Sequence, residues 1–242
     1  MISTLKLQQV YKQYGGAQFS LSIKSLEFHN KHIQVIVGPN GSGKSALLNL
    51  LAFIDIPDQG TILIDNKPMP WNNKSGVQLH KRIGFVRQTP YLFNTNVFEN
   101  VALGLRIRRI PRSEVISKVC AMLETLNIQH LAKRRVNCLS RGEYQKVAIA
   151  QILVLDPEII LMDEPAANID TQSTLSIEET VKNIQKNVNA IIIMTTHSSA
   201  QAYRMSPDII SIQDGRIVGF IHENVFFEQM KDATDIIVNE RL

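Results

Sequence analysis

Gly38-Pro39-Asn40-Gly41-Ser42-Gly43-Lys44-Ser45 fits the pattern G-x-x-x-x-G-K-[ST]. Before it lies Ile33-Gln34-Val35-Ile36-Val37, a short apolar run of strand type. After it, Ala46-Leu47-Leu48-Asn49-Leu50-Leu51-Ala52 has helix-forming composition. The loop therefore joins a strand to a helix N-terminus. Its glycines let the backbone bend so that successive N–H groups point inward at an anion, and the positive end of the helix dipole adds to the attraction. Lys44 is placed to reach β- and γ-phosphates and the Ser45 hydroxyl to ligate Mg²⁺. This reading makes the stretch a phosphate cradle and predicts nucleotide binding.

Working outward, residues 2–37 alternate short apolar and polar stretches broken by Gly15-Gly16 and Asn30-Lys31, which predicts strands and hairpins. Further strands are expected at Thr61–Asp65 and at Ile83–Val86. Between about 89 and 138 the apolar spacing turns helical, over Asn96–Leu105 and through Val115, Val119, Met122, Leu123 and Leu126. Beyond it come a helix after Ser140, a strand at Ile159–Met162, a polar helix near Ser173–Lys186, a strand at Ala190–Thr195 and a hairpin-like pair near Ile209 and Ile217. Strand and helix alternating on this scale predict an α/β fold with a parallel sheet flanked by helices. We expect a single domain over 1–242. Residues 1–88 and 139–242 would form the core with an N-terminal antiparallel β subdomain, and 89–138 a helical insert.

The chain has 242 residues, 44% of them hydrophobic, enough for one large core. No apolar run approaches the ~20 residues that span a bilayer, and the N-terminal residues lack the apolar core of a signal peptide, so a cytoplasmic location is expected. Cys120 and Cys138 are too far apart for a C-x-x-C unit and are read as buried or idle thiols. Net charge is +4, with a pI near 9.1. The basic clusters Arg106–Arg112 and Lys133–Arg135 are not interleaved with aromatic residues as a nucleic-acid stacking platform would be, and read as solvated faces.

Ile159-Ile160-Leu161-Met162-Asp163-Glu164 is an apolar run ending in two carboxylates. A buried parallel strand aims its C-terminal residues at the crevice where the cradle also opens. Asp163 is then placed to hold Mg²⁺ through water, and Glu164 to polarise a water in line with a γ-phosphate.

Leu139-Ser140-Arg141-Gly142-Glu143 precedes a helical run. With the cradle ahead of it, the chain resembles the ATP-binding subunit of an ABC transporter over nearly its whole length, the signature of that family reading L-S-G-G-Q. The resemblance implies the P-loop NTPase core of the ABC ATPases, with ATP and Mg²⁺ as cofactors. It also implies Tyr14 as the aromatic stacking on adenine, Gln88 as the switch sensing Mg²⁺ and attacking water, and His197 as the γ-phosphate contact. Ala167-Asn168-Ile169-Asp170 resembles the segment that crosses to a partner subunit. Alone, Tyr14, Gln88 and His197 would read as a core aromatic, a loop amide and a strand-end histidine; the order of landmarks decides. Two such subunits bind head to tail, so that Ser140 and Gly142 of one face the γ-phosphate held by the other. The implied partners are a second ATPase subunit, membrane permease subunits docking on the helical insert and, for an importer, a substrate-binding protein. No nucleic acid is expected. The implied location is the cytoplasmic face of the cell membrane.

Three positions depart from the family pattern. Arg141 replaces a glycine, Glu143 a glutamine, and Ala46 a usual threonine near the α-phosphate. We expect Arg141 to fold back onto Glu143, directed away from the γ-phosphate. Tyr91 to Leu105 is similar to the stretch after the glutamine switch in importer ATPases, nearest to those for tungstate and related oxyanions. With the chain ending at Leu242, no C-terminal regulatory domain is expected, and the tail from about Asn224 reads as a short surface or dimer-contacting helix. An exporter ATPase, a non-transport ATPase of the superfamily acting in DNA repair or on the ribosome, and a nucleotide-binding module without catalysis are the rival readings.

Overall fold

Ile159–Asp163 is buried at every position, as a strand must be when it has neighbours on both sides and helices on both faces. The computed structural model describes residues 1–69, 71 and 74–222. Its strands are β1 (Thr4–Tyr14), β2 (Phe19–His29), β3 (Ile33–Val37), β4 (Gln59–Ile64), β5 (Lys67–Pro68), β6 (Ile83–Val86), β7 (Ile159–Asp163), β8 (Ile191–Thr196), β9 (Asp208–Gln213) and β10 (Arg216–His222). Among the described residues they form one sheet in the order β5-β4-β1-β2-β10-β9-β3-β8-β7-β6. The run from β9 to β6 is parallel. The β5-β4-β1-β2 side is antiparallel and meets β10 through a single parallel bridge, Arg216 to Ser22.

Alternate residues of the central strands feed two cores. Ile160, Met162, Ile192 and Met194 pack into one with the helices α3 (Val97–Ile107), α4 (Arg112–Thr125), α5 (Arg141–Leu153), α6 (Thr171–Asn187) and α7 (Ser199–Met205). Ile159, Leu161, Ile191 and Ile193 pack into the other with α1 (Lys44–Leu51) and the antiparallel strands. Period-2 alternation thus splits one apolar strand between two faces. Several helices start on a side-chain cap. Asn96 accepts from Glu99 N, Asp170 from Ser173 N, and Ser140 with Glu143 forms a reciprocal capping box.

The stretch read as mostly helical holds α3, α4 and two short 3-10 turns. Two further helices, α2 (Lys74–His80) and α7, were not legible, being only 7 residues each. Both cysteines are exposed free thiols, so of the two expectations, buried or idle, burial fails. α4 turns Val115, Val119 and Leu123 inward, which leaves Cys120 on the outer side. All seven cations of the two basic clusters are exposed, as expected of solvated faces. No helix among the described residues is long and apolar enough to cross a membrane. The tail from Asn224 lies outside the described residues.

Candidate nucleotide site

The loop from Gly38 to Gly43 leaves β3 and enters α1, as its flanking residues predict. Gly38 is buried, and a Cβ there would lie 2.2 Å from the Ile212 carbonyl oxygen. Gly43, the residue before α1, sits at φ 106, and a Cβ there would come within 2.8 Å of the Phe19 ring. Both glycines are therefore dictated by close approach and, at Gly43, by backbone sign. The Ser42 hydroxyl is buried and has no hydrogen-bond partner among the described residues. An orphaned buried hydroxyl in a glycine-rich loop just ahead of a helix N-terminus is what a phosphate oxygen would satisfy, so the cradle fits a phosphate. Pro39, Asn40, Gly41 and Ser45 are exposed along its rim, and Ala46 is half-buried behind them.

Lys44 is 5% exposed, and its ammonium donates to the carbonyls of Gly38 (2.9 Å) and Pro39 (3.0 Å). Glu164 Oε1 lies 3.1 Å from the same nitrogen. The other carboxylate oxygen, Oε2, is 2.9 Å from His197 Nδ1 and accepts from Gln88 Nε2 at 3.5 Å. Three side chains from three segments thus converge on the one buried carboxylate of Glu164. Lys44 follows β3 at the start of α1, Gln88 follows β6, His197 follows β8 and Glu164 itself follows β7, so the C-terminal ends of the parallel strands place them together above one edge of the sheet. Asp163 and the main chain of Glu164 are held by Thr195. Its hydroxyl donates to Asp163 Oδ1 at 2.6 Å and accepts from Glu164 N at 3.0 Å. The sequence reading passed over Thr195; a hydroxyl closing the apolar run Ile191–Met194 was the available signal.

Among the described residues, no three His, Cys, Asp or Glu side chains cluster as a metal cage. Mg²⁺ would fit here through hard oxygen donors, Ser45 and Asp163, completed by phosphate oxygens and water. The structure thus brings together Lys44, Asp163, Glu164, His197 and Gln88 at the cradle.

Ser140 and Gly142 stand apart, at the start of α5. Glu143 accepts the Ser140 N–H at 2.7 Å and lies 3.5 Å from Arg134. The Ser140 N–H, then Arg134, hold its carboxyl below the usual range. Arg141 does not fold onto Glu143 as expected. Its Nη1 donates to the Asn168 carbonyl at 3.0 Å. Glu143 is the third residue of the helix, where the capping box takes one carboxylate oxygen and Arg134 lies against the other, and Arg141 bonds the Asn168 carbonyl instead. Gly142 packs against the first turn of α6, where a Cβ would meet Ser173 at 2.8 Å. Asp170 is committed to the α6 cap, its carboxyl held down by the Ser173 N–H. A cleft of about 680 Å³ lined by Gln88, Arg141, Tyr144, Gln145 and Asn168 separates this helix start from the Gln88 loop.

Tyr14, at the end of β1, donates its hydroxyl to Asp55 at 2.9 Å, and its ring lies 6.1 Å from that of Phe19. Burial, then Asp55, push the phenol well above its ordinary value. Asp58, after α1, holds the same strand end through Lys12 and Gln13 N, both at 2.8 Å. The aromatic is thus tied to the far end of the helix that the cradle opens.

A family model described as "ABC transporter" matches residues 21–167. The chain is 38% identical to the molybdate/tungstate import ATP-binding protein WtpC of Pyrococcus horikoshii, over 88% of this chain and 61% of that one. It therefore spans only about three fifths of that relative. It is 32% identical to the tungstate uptake system ATP-binding protein TupC of Peptoclostridium acidaminophilum, over 88% and 96%. Among solved structures, CbiO1 of Clostridium perfringens, part of the ABC transporter complex CbiONQ, superposes with a TM-score of 0.88 at 29% identity, covering 100% of this chain and 96% of that one. A cradle that fits a phosphate, two carboxylates at the end of a buried parallel strand and a capped signature helix agree with these likenesses: the chain belongs to the ABC transporter family, among its ATP-binding proteins.

Proposed function

We propose that this chain is the ATP-hydrolysing subunit of an importer for a small oxyanion such as tungstate. The observation that carries the catalytic part is the convergence on Glu164, with Lys44 at 3.1 Å and His197 at 2.9 Å. In this reading the cradle N–H groups, the Ser42 hydroxyl and Lys44 bind the β- and γ-phosphates. Lys44 exchanges its carboxylate partner for phosphate, which releases Glu164 to accept a proton from the attacking water. His197 contacts the γ-phosphate, and Gln88 orients the water. Tyr14 stacks on adenine. Ser45, Asp163 and Gln88 would hold Mg²⁺, which would neutralise phosphate charge.

Residues 1–88 with 139–242 act as the core and 89–138 as the insert that meets a permease. A second copy, bound head to tail, presents Ser140, whose hydroxyl still has a proton to donate after accepting Glu143 N at 3.3 Å, and Gly142 N–H. Asp170 belongs to the crossing segment. The chain then sits on the cytoplasmic face of the membrane, served by a substrate-binding protein. Support for the oxyanion lies in the likeness to the molybdate/tungstate import and tungstate uptake ATP-binding proteins.

Phosphate release by the purified chain with Mg-ATP tests the first part, and tungstate uptake in cells lacking the chain tests the second. Absence of Mg-dependent phosphate release would refute the catalytic reading. Uptake unchanged by deletion would refute the oxyanion.

A further inference from the structure

Behind His197 runs a buried polar chain that the reaction above does not use. Glu178, on α6, is 4% exposed. Its carboxylate accepts from Arg204 Nε and Nη2 at 2.8 and 2.7 Å and from Gln201 Nε2 at 3.1 Å. The other end of the Gln201 amide, Oε1, accepts the Thr196 hydroxyl at 2.7 Å. Thr196 Oγ1 in turn accepts Ser198 N–H at 3.0 Å, and Ser198 Oγ accepts Gln201 N–H at 3.2 Å. Both neighbours of His197 in sequence are therefore bonded to this one glutamine.

A glutamine amide has a donor end and an acceptor end, whereas an ionised carboxylate only accepts. Glu178 thus dictates which way Gln201 faces: Nε2 toward α6, Oε1 toward Thr196. Burial by itself would raise the Glu178 carboxyl; the hydrogen bonds from Arg204, then Gln201, outweigh it and hold it low. With a neutral or missing partner the amide is free to reverse, and Thr196 would then face a donor instead of an acceptor. The turn carrying His197 would lose its register.

We propose that Glu178 is a positioning residue for hydrolysis: through Gln201 and Thr196 it holds the turn at 196–198 so that His197 presents Nδ1 to Glu164. The proposal rests on the ATPase reading for its kinetic consequence and on geometry alone for its structural one. Glu178 touches neither the cradle nor Asp163, so nucleotide binding should be spared.

The test compares Glu178→Ala, Glu178→Gln and Arg204→Lys in the full chain. Glu178→Ala should lower kcat about 10-fold while KM for ATP moves less than about 2-fold. Arg204→Lys, which keeps the ion pair, should stay within about 2-fold of the parent in kcat. In a His197→Ala background, Glu178→Ala should add less than about 2-fold further loss, since a residue acting through His197 has nothing left to act on. The hydrogen-bonded imidazole N–H proton of His197, followed by NMR, should be resolved in the parent and lost in Glu178→Gln, which keeps side-chain volume. A fall in melting temperature with kcat unchanged, losses that multiply in the double variant, or an imidazole proton kept in Glu178→Gln would each overturn the proposal. A parent chain without turnover would refute the ATPase reading, and the NMR comparison would still decide the positioning one.

Discussion

At the C-terminal end of β7, Lys44 meets Glu164 at 3.1 Å with the two side chains 5% and 8% exposed; just before its N-terminal end, Arg82 meets Glu158 at 2.5 and 2.7 Å with 42% and 25% exposed. Both are cation–carboxylate pairs on one strand, but their hydrogen bonding differs. The Arg82 fork occupies both oxygens of Glu158, and Ile2 N–H adds a third bond at 2.7 Å. Two of the three bonds thus come from one rigid fork, and the Glu158 carboxyl is pulled down to about 2, with the Arg82 hydrogen bond as the leading cause. Glu164 instead shares its oxygens among single-point donors, Lys44, His197 and Gln88, each able to turn to a phosphate or a water. A bidentate pair fixes structure; a pair built of separate single contacts can be exchanged.

Glu164→Gln should break the exchangeable end most severely. Loss of the proton-accepting carboxylate is expected to cut kcat by on the order of 10²-fold or more while ATP still binds and traps a dimer. Steady-state phosphate release and size-exclusion with Mg-ATP read this out, and turnover at the parent rate would remove Glu164 from the chemistry. Lys44→Ala comes next. Losing charge-assisted hydrogen bonds of about 1.5–3 kcal/mol should weaken ATP binding about 10–100-fold by calorimetry; unchanged affinity would contradict the cradle assignment.

Glu158→Gln tests the bidentate end. It should cost about 1–2 kcal/mol in urea unfolding, since the pair is partly solvent-screened, and leave kcat unaltered. The sign with pH follows from the depressed carboxyl. Its contribution is complete above the ordinary 4.5 and is lost as pH falls toward about 2. The parent's stability should therefore drop more steeply than the variant's over that window, and parallel curves would show that Glu158 is not the linked group. The smallest effect is expected from Arg141→Gly. Arg141 is bound to Asn168 rather than aimed at a nucleotide, so ATP-dependent dimerisation of the Glu164→Gln background should change less than about 2-fold. A clear weakening would make Arg141 a nucleotide ligand.

Much of the candidate site was legible because its parts are local. The cradle needs glycine at set spacing between a strand and a helix, and Asp163–Glu164 needs only an apolar strand before it. Gln88 and His197 were legible through landmark order and not through their surroundings. Tyr14 was singled out in the same way for adenine stacking, while its partner Asp55 was not legible, because a hydrogen bond across 41 positions leaves no local pattern. Thr195, Gln201 and Glu178 escaped for the same reason. The pairing expected between Arg141 and Glu143 failed since a capping box, a stronger local demand, had already taken the glutamate.

By itself, then, the sequence determined the strand–loop–helix cradle, the parallel apolar core, the helical stretch between Gln88 and Ser140 and the identity of the charged groups. Those follow from periodicity, backbone permissiveness and side-chain chemistry, which act over a few residues. Only the tertiary structure decided which carboxylate Lys44 faces, which way the Gln201 amide points and where Arg141 finds its acceptor. Each of these is a competition among buried donors and acceptors from distant segments, settled by the order of strands in the sheet and by the cost of leaving any buried polar group unpaired.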